Sequence, residues 1–398
     1  MPAFHLFNPG HETAVLLGTL NYTAPTNVAQ MTHDLAYLPL WYADPTDLVY
    51  VGKEINIEFM KSLPGDTPFA TPYSSTATYP DSYKAVPWGI SPHIIHFLHK
   101  LKAEDNLTIA IPEWKPQLKN LTGRQGTIQC HLMLSKQLHA CGLPQPPVVH
   151  SSIESIEEYI KNNPLPIVVK TPFSSSGRGI LWLRKEVLTN AERNWIKGAL
   201  HRQGFICLEK GLDKTLDFAM EFYSDGRGTV RYEGLSVFRT EDKGAYCGNL
   251  LASQEILHQE LGKHIDKALL EQTKEAVINS LQAVYSKTYE GYLGVDMMLY
   301  QKNGQTAIHP CVEVNMRFTM GLVALKLFDR YISPSATGSF HITFEKTPGA
   351  ALETHHKTQA EHPLQISDGR IEKGYLSLCP VTHQTFYRAY LNIGNSNE

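Results

Sequence analysis

The order of apolar and polar positions divides the chain into short segments of alternating type. Within the first 118 residues, AFHLFNP and DLVYVG are apolar and strand-like, and Asn27–Leu38 between them has the period of a helix. SPHIIHFLHKL predicts a further helix, with Ser91 as its N-cap and Pro92 at its first position. Strands that alternate with helices predict an α/β domain over residues 1–118.

The next 170 or so residues predict a mixed series of strands and helices, typical of α+β structure. A helix is expected from about Thr127 to Ala140, ending at Gly142. It is followed by the strand PVVHS, a helix SIESIEEYIKN, the strand LPIVVKT, a glycine loop, the strand GILWL and a helix over 186–203. The strands GFICLEKGL, LDFAMEFYSD and TVRYEGLSVFRT and a helix at about 265–287 come next.

The last part of the chain begins with two strands that are expected to pair. GYLGVDMMLY and AIHPCVEVN are both strand-like and are joined by the turn KNGQ, so they should form a hairpin. After Pro348 the chain is polar and rich in histidine, and it then returns to the strand-like runs GYLSLCP and TFYRAYLNI.

Composition narrows the class of protein. The 398 residues are 42% hydrophobic and 19% charged with a formal net charge of -3, which gives no overall attraction to nucleic acid or anionic membranes. No apolar run reaches the length of a membrane span, and the N-terminus has no signal-peptide pattern. The six cysteines lie far apart without a CxxC pair, which indicates free thiols and a cytoplasmic protein.

The stretch VVKTPFSSSGRGI, residues 168–180, places a lysine at the end of an apolar strand and a small-residue loop after it. No helix follows the loop directly, so the stretch is not a P-loop. Backbone N–H groups and serine hydroxyls at such a hairpin tip can close over an anion, and Lys170 would reach a phosphate from the strand. An ordinary flexible turn with a surface lysine is the alternative.

Two further stretches carry polar groups at informative positions. In CVEVNMRF, Glu313, Asn315 and Arg317 alternate along one face of a strand, and Asp296 lies in the strand expected to pair with it. Two carboxylates and an amide oxygen on one face suit magnesium that carries a nucleotide phosphate. The alternative is a buried acidic pair neutralised by Arg317. In FICLEKGLDKTLDF, Glu209 offers an acceptor for an adenine amino group and Asp217 one for a ribose; an exposed strand end is the alternative for Glu209.

In their order and approximate spacing, these residues resemble the ATP-grasp superfamily from about residue 120 to 345. The resemblance implies an ATP-grasp fold of α+β and α/β type, in which two α+β subdomains, 119–205 and 206–345, clamp ATP. It further implies an N-terminal α/β pre-grasp domain over 1–118, and residues 346–398 would form a C-terminal extension with short strands.

The resemblance also implies roles for single residues. Arg317 would act near the transferred phosphoryl group, and Lys170 would contact the nucleotide. Magnesium, with manganese as an alternative, would be held by Asp296, Glu313 and Asn315. The other nucleotide contacts would come from Ser174, Ser175, Ser176, Gly177, Arg178, Gly179, Glu209, Lys210, Leu212 and Asp217. The superfamily has a lysine where this chain reads KNLTGRQG, so either Arg124 replaces it or Lys119 is shifted.

The activity that the resemblance implies is ligation of a carboxylate to an amine, with ATP activating the carboxylate as an acyl phosphate. A phosphotransferase acting on a small molecule, or a nucleotide-binding protein without turnover, would use nearly the same residues. The expected partners are small-molecule carboxylates and amines, without nucleic acid or membrane. The sequence leaves the oligomeric state open, a homodimer being one option.

Weaker signals lie outside this set. Asn8, His11 and Glu12 follow the first strand, where α/β domains bind ligands, although a capped turn explains them as well. His93, His96 and His99 have the spacing of the wet edge of an amphipathic helix. Arg231, Arg239 and Lys243 are candidates for holding a substrate carboxylate, and surface charge is the simpler interpretation.

Overall fold

The computed structural model describes residues 1–64, 68–105, 107–138, 142–174, 179–241 and 246–394. Ser175, Ser176, Gly177 and Arg178 of the predicted phosphate loop, and Lys243, lie outside the described residues. The chain divides into two compact units. The first unit contains residues 1–114, 247–257 and 318–398, and the second contains 115–246 and 258–317. The division into four domains at 118, 205 and 345 stays a prediction.

Strands and helices alternate along most of the described chain. The strands are β1 Ala3–Leu6, β2 Leu48–Tyr50, β3 Thr71–Pro72, β4 Tyr83–Pro87, β5 Ile109–Ala110, β6 Val148–His150, β7 Ile167–Lys170, β8 Ile180–Leu183, β9 Ile206–Lys210, β10 Asp213–Asp225, β11 Val230–Thr240, β12 Tyr246–Leu251, β13 Glu290–Lys302, β14 Gln305–Asn315, β15 Gly338–Phe344, β16 Gln365–Ser367, β17 Arg370–Ser377 and β18 Tyr387–Ile393.

The helices are distributed over both units. They are α1 His11–Leu17, α2 Thr26–Asp34, α3 Ile57–Ser62, α4 Pro92–Glu104, α5 Gln117–Thr122, α6 Arg124–Gln137, α7 Ile153–Asn162, α8 Asn190–Gln203, α9 Gln254–Gly262, α10 Lys267–Val284, α11 Met320–Tyr331 and α12 Ala350–Glu361, with a 3-10 turn at Leu38–Trp41. In the part of the chain that the structure describes, none of them has the length and apolarity needed to cross a membrane.

The N-terminal part of the first unit is the α/β domain that the pattern predicts. Its strands are parallel, in the order β3-β2-β1-β4-β5, so β1 lies in the middle of the sheet. Phe4, Leu48 and Ala85 of the strands pack with Leu98 of α4 in one buried cluster. The predicted cap is confirmed, because the Ser91 hydroxyl accepts a hydrogen bond from the N–H of Ile94 at 3.3 Å.

The C-terminal part of the first unit contains antiparallel strands in the order β12-β15-β18-β17-β16. The strand-like runs predicted after Pro348 are β17 and β18. The polar stretch before them, for which the sequence pattern predicts no element, forms α12, which begins after Gly349 in the left-handed conformation. Ala351 is its one buried residue among those described, so the hydrophobic pattern gives no sign of this helix.

The second unit contains two antiparallel sheets. In the first, β6-β9-β7-β8, Ile167 and Val169 of β7 pack with Ile156 of α7, Ile196 of α8 and Leu208 of β9. The predicted hairpin of β7 and β8 is confirmed, with Lys170 opposite Ile180. The predicted helix over 186–203 starts later, at α8, because Thr189 caps it through a reciprocal pair with Glu192.

The other sheet of the second unit has the order β14-β13-β10-β11. The predicted pairing across KNGQ is confirmed, with Lys302 opposite Gln305. Asn303 and Gly304 both have positive φ, at 52° and 78°, as a two-residue hairpin turn requires. This turn sets the register as far as Met298 opposite His309, and an irregularity between Met298 and Asp296 then shifts it by two residues, so that Asp296 lies opposite Glu313.

The helix expected from about Thr127 begins three residues earlier and follows a second short helix. The loop NLTGRQG is therefore largely helical, with α5 ending at Thr122 and α6 starting at Arg124. Gly126 lies where α6 approaches neighbouring segments: a Cβ there would overlap the hydroxyl of Tyr285, which directly follows α10, and lie 2.7 Å from the carbonyl oxygen of Leu121. The absence of a side chain permits this close packing.

We expect Gly126→Ala to lower the free energy of unfolding by about 1–3 kcal/mol, because the methyl group forces α5, α6 and α10 apart. The matched control is Gly198→Ala in the middle of α8, where a Cβ would meet only the guanidinium end of Arg202, at 3.2 Å. That substitution should raise stability by about 0.5–1 kcal/mol through helix propensity. Urea unfolding followed by circular dichroism measures both, and equal effects of the two substitutions would contradict the packing argument.

Candidate active site

Lys170 and Glu209 form a buried ion pair in the second unit. Lys170 ends β7, Glu209 lies on the neighbouring β9, and the ammonium group contacts Glu209 Oε1. The two side chains are only 6% and 10% exposed, so the interpretations as a surface lysine and an exposed strand end are both wrong. Burial alone would raise the pKa of Glu209, but the pKa is lowered because Lys170, together with His309 and Arg124, outweighs the effect of burial.

Two histidines beside this pair were not predicted. His131 of α6 and His309 of β14 have ring centroids 5.0 Å apart, and both interact electrostatically with Glu209 and Lys170. Burial lowers the pKa of His309 to about 3 and also lowers that of His131, so both rings are neutral at pH 7. No spacing in the sequence indicated them, because His131 and His309 come from distant segments and an irregularity of β14 lies between His309 and Glu313.

Arg124 connects the lysine strand to the strand of the acidic residues. At the start of α6 its guanidinium group is buried, and its Nε donates to the carbonyl oxygen of Thr171, directly after β7, at 3.0 Å. Its Nη2 lies 3.3 Å from Oε1 of Glu313 on β14. Of the two cations considered for this place, the structure therefore brings Arg124 to the site, whereas Lys119 is exposed on α5.

The predicted metal ligands lie together across the hairpin of β13 and β14. Asp296 is directly opposite Glu313, and the Asn315 side-chain amide donates to Asp296 Oδ2 at 3.0 Å. Burial, and then the neighbouring Glu313 carboxylate, raise the pKa of Asp296 to about 7, although Arg317 acts in the opposite direction. The alternative in which Arg317 neutralises the acidic pair does not account for this raised pKa.

The protein alone supplies few ligands for a metal ion at this site. Among the described residues, no three His, Cys, Asp or Glu side chains converge on one possible metal position. The available oxygens are the two carboxylates of Asp296 and Glu313 and the amide oxygen of Asn315. Such a set suits a magnesium ion that takes its remaining ligands from phosphate and water.

The other predicted nucleotide contacts surround these residues. Asp217 on β10 accepts hydrogen bonds from Lys214 and, at 2.7 Å, from Thr240, and its charge adds to the raised pKa of Asp296. Lys210 is exposed at the end of β9, and Leu212 is half-buried in the short link to β10.

The two described ends of the phosphate loop, Ser174 and Gly179, approach each other closely. The Thr171 N–H donates to the Gly179 carbonyl oxygen at 2.9 Å, and a Cβ on Gly179 would overlap the side chains of Thr171 and Ser174. Glycine is therefore required at 179 by packing at the base of the hairpin.

The weaker candidates come from other segments of the described chain. Asn8, His11 and Glu12 belong to the first unit. His96 and His99 are exposed on α4, as expected for the wet edge of a helix. Arg231 is exposed and pairs with Glu233 at 2.7 Å.

The raised pKa of Asp296 predicts a cost in stability that depends on pH. An acid whose folded pKa lies above its unfolded value destabilises the protein increasingly as pH rises from about 4 towards 7, because the folded state must hold a charge that the unfolded state exposes. Asp296→Asn should therefore stabilise the metal-free protein, by about 1–2 kcal/mol more at pH 8 than at pH 5. Urea unfolding at the two pH values measures this gain.

The control is Asp213→Asn on the neighbouring strand β10, where the side chain is exposed. Its effect should be small and equal at the two pH values. A gain for Asp296→Asn that does not depend on pH would contradict the burial of its charge.

Comparison with solved structures shows the fold. Biotin carboxylase from Campylobacter jejuni in a β,γ-ATP complex has a TM-score of 0.52 at 13% identity, with 99% of this chain and 88% of that chain covered. N5-carboxyaminoimidazole synthetase from Staphylococcus aureus with ADP has a TM-score of 0.46 at 12% identity, covering 99% and 94%. The biotin carboxylase domain of 2-oxoglutarate carboxylase from Hydrogenobacter thermophilus has 0.47 at 14%, covering 78% and 69%.

No family model and no curated protein matches the sequence. The likeness to the Campylobacter enzyme extends over nearly the whole chain, and the predicted hairpins and mixed α/β architecture are present. This chain has the ATP-grasp fold.

Proposed function

We propose that this chain is an ATP- and magnesium-dependent ligase that joins a carboxylate to an amine through an acyl phosphate. One observation carries the proposal: Arg124 reaches both the strand end beside Lys170 and the carboxylate of Glu313, so cations for phosphate and acids for a metal lie in one continuous cluster. Phosphoryl transfer from ATP needs cationic side chains that contact the phosphates and acidic side chains that hold the metal ion bound to them.

The nucleotide would be bound by residues on both sheets of the second unit. Lys170 and the hairpin from Ser174 to Gly179 would contact the phosphates, and Arg124 would add a second cation. Glu209, with the backbone of Lys210 and Leu212, would bind the adenine, and Asp217 would accept from the ribose. The biotin carboxylase that shares the fold was solved as an ATP complex, which supports ATP as the nucleotide.

Magnesium fits the acidic side of the cluster. Asp296, Glu313 and Asn315 supply only oxygen ligands, and burial, followed by the neighbouring Glu313 carboxylate, raises the pKa of Asp296, which a bound cation would lower again. When bound, the metal would offset the negative charge of the β- and γ-phosphates. Manganese accepts the same ligands.

The protein's own residues would act by positioning and electrostatics. A carboxylate oxygen of the substrate attacks the γ-phosphorus and ADP leaves; the amine nitrogen then attacks the acyl carbon, phosphate leaves and the amine loses a proton. Arg317, whose charge acts on Asp296, would stabilise the phosphoryl group as it is transferred. No nucleophile on the protein is required.

The biological setting and domain division belong to the same proposal. The described cysteines carry free thiols, which is typical of the reducing cytoplasm. We assign residues 1–118 to a pre-grasp domain, 119–205 and 206–345 to the two ATP-clamping subdomains and 346–398 to a C-terminal extension. Small carboxylates and amines would be the partners.

The reaction class can be tested without knowing the amine. The purified protein is incubated with Mg·ATP, hydroxylamine and a panel of amino acids, dipeptides and small carboxylates, and hydroxamate and ADP are measured. An acyl phosphate reacts with hydroxylamine to give a hydroxamate in step with ADP. A stable phosphate ester without hydroxamate would identify a phosphotransferase instead, and no ADP with any member of a broad panel would argue against turnover.

Removing charge from the acids should abolish turnover while preserving the fold. We expect Asp296→Asn and Glu313→Gln each to lower the rate of ADP formation at least a hundredfold, which corresponds to about 3 kcal/mol or more of transition-state stabilisation. Circular dichroism and urea unfolding verify that the variants are folded. ADP formation near the wild-type rate by a folded double variant would contradict the metal assignment.

Lys170 and Arg317 should differ in what they affect. Lys170→Ala should weaken binding of a non-hydrolysable ATP analogue in calorimetry, since its partner Glu209 would also be left unpaired. Arg317→Ala should leave that affinity within about a factor of three and lower the maximal rate strongly, because its contact strengthens in the transition state. If Arg317→Ala instead lost affinity for the analogue and kept a normal maximal rate, the role proposed for Arg317 in the transition state would be wrong.

A further inference from the structure

The first unit contains a cavity of about 360 Å³ that the nucleotide chemistry does not use. It is surrounded by the loop after β1, the helix α2, the end of β2 and the first turns of α4. Its volume is within the range of roughly 300–1,000 Å³ that small-molecule sites occupy. Every residue that lines it lies between Leu6 and Phe97, so it is formed by one continuous part of the unit.

The cavity lies where an open parallel sheet binds ligands. After β1 the chain adds β2 and β3 on one side, and it then returns to place β4 and β5 on the other side. The loops that follow β1 and β4 therefore leave the sheet in opposite directions and open a crevice at its carboxyl edge. Phe7 and Asn8 after β1 and Ser91 after β4 line the cavity at this point.

The two loops are fixed to each other without a ligand. The Asn8 side-chain amide donates to the carbonyl oxygen of Gly89 at 2.7 Å, and the Gly89 N–H donates back to Asn8 Oδ1 at 3.2 Å. The ring of His11 lies so close to Gly89 that a Cβ there would overlap it. The crevice is therefore preformed, which lowers the entropic cost of binding.

The wall of the cavity is mainly apolar, and several of its polar groups already have partners. Asn8 is satisfied by Gly89, the Thr32 hydroxyl donates to the Val28 carbonyl oxygen at 2.9 Å, and His93 Nδ1 lies 2.9 Å from the Leu20 carbonyl oxygen. The apolar surface comes from side chains that include Phe7, Ala14, Val28, Tyr50, Ile94 and Phe97.

The wall of the cavity offers no charged side chain that would attract an ionic ligand. Of the residues that line the cavity, all within the described part of the chain, none is Lys, Arg, Asp or Glu. Three histidines line the cavity, but His11 Nδ1 and His33 Nδ1 already face the carboxylates of Glu12 and Asp34, at 3.1 Å and 3.2 Å, and His93 Nδ1 faces the Leu20 carbonyl oxygen. A phosphate or carboxylate entering the cavity would lose its hydration without gaining a cation, which costs several kcal/mol.

We propose that this cavity binds a small neutral molecule whose body is aromatic or branched aliphatic. Apolar lining, preformed loops and the position at the switch point of the sheet all support this class of ligand. The proposal does not depend on the ligase activity, because it concerns binding to the first unit alone.

The test uses indole as a neutral probe and the full chain without nucleotide, in calorimetry. Wild-type protein should bind indole measurably below the solubility limit of the probe. Ala29→Trp, which adds a bulky ring at a residue of the cavity wall on α2, should weaken binding at least tenfold. The control is Asn27→Trp, an exposed position on the same helix that does not line the cavity, and it should bind indole within a factor of two of wild type.

A second probe tests the charge argument. Indole-3-carboxylate has the same ring with an anion, and it should bind at least tenfold more weakly than indole to the wild type. No indole binding by folded wild-type protein, or equal binding to the Ala29→Trp variant, would overturn the assignment of the cavity. Tighter binding of indole-3-carboxylate would overturn the neutral class of ligand. None of these outcomes depends on ADP formation, so the binding test can be interpreted even if the ligase assay detects no activity.

Discussion

The candidate site depends on one buried cation, the guanidinium group of Arg124. Its Nε is fixed by the carbonyl oxygen that follows Lys170, and its Nη2 faces Glu313. A buried guanidinium group must keep such partners, because an unpaired charge in the interior is costly. The strand that ends in Lys170 and the strand that carries the acids are therefore held in one arrangement, and the nearby Lys170–Glu209 pair adds a second constraint of the same kind.

Charges held in this way favour function over stability. Asp296 and Glu313 lie opposite each other in a hairpin, and burial, followed by repulsion from Glu313, raises the pKa of Asp296. A sheet chosen for stability alone would place apolar residues at these positions, as it does at Val295 and Met297 beside them. Local instability of this kind is typical of sites that bind a charged ligand.

Much of this arrangement could be predicted because it depends on local rules. The turn at Asn303 and Gly304 sets the register of β13 and β14 next to the turn, and strand parity places Glu313 and Asn315 on one face. The irregularity between Met298 and Asp296, which brings Glu313 opposite Asp296, lies outside these local rules. The start of α6 at Arg124 could not be predicted in the same way, because no side chain caps that helix.

Other features depend on packing between distant segments. His131 meets His309 across 178 positions of sequence, which no spacing rule indicates. The apolar run of α11 is buried almost all round, and such a run is compatible with a strand or a helix. The cavity of the first unit is a space between elements, and a sequence pattern describes only the elements.

The central claim is that the acids of the β13–β14 hairpin hold a metal for the nucleotide beside Lys170. The most direct measurement is calorimetry of a non-hydrolysable ATP analogue with and without magnesium, on the wild type and on the Asp296→Asn/Glu313→Gln double variant. The account predicts that magnesium raises the affinity of the wild type at least tenfold and has little effect on the double variant. An equal effect of magnesium on both proteins would contradict it.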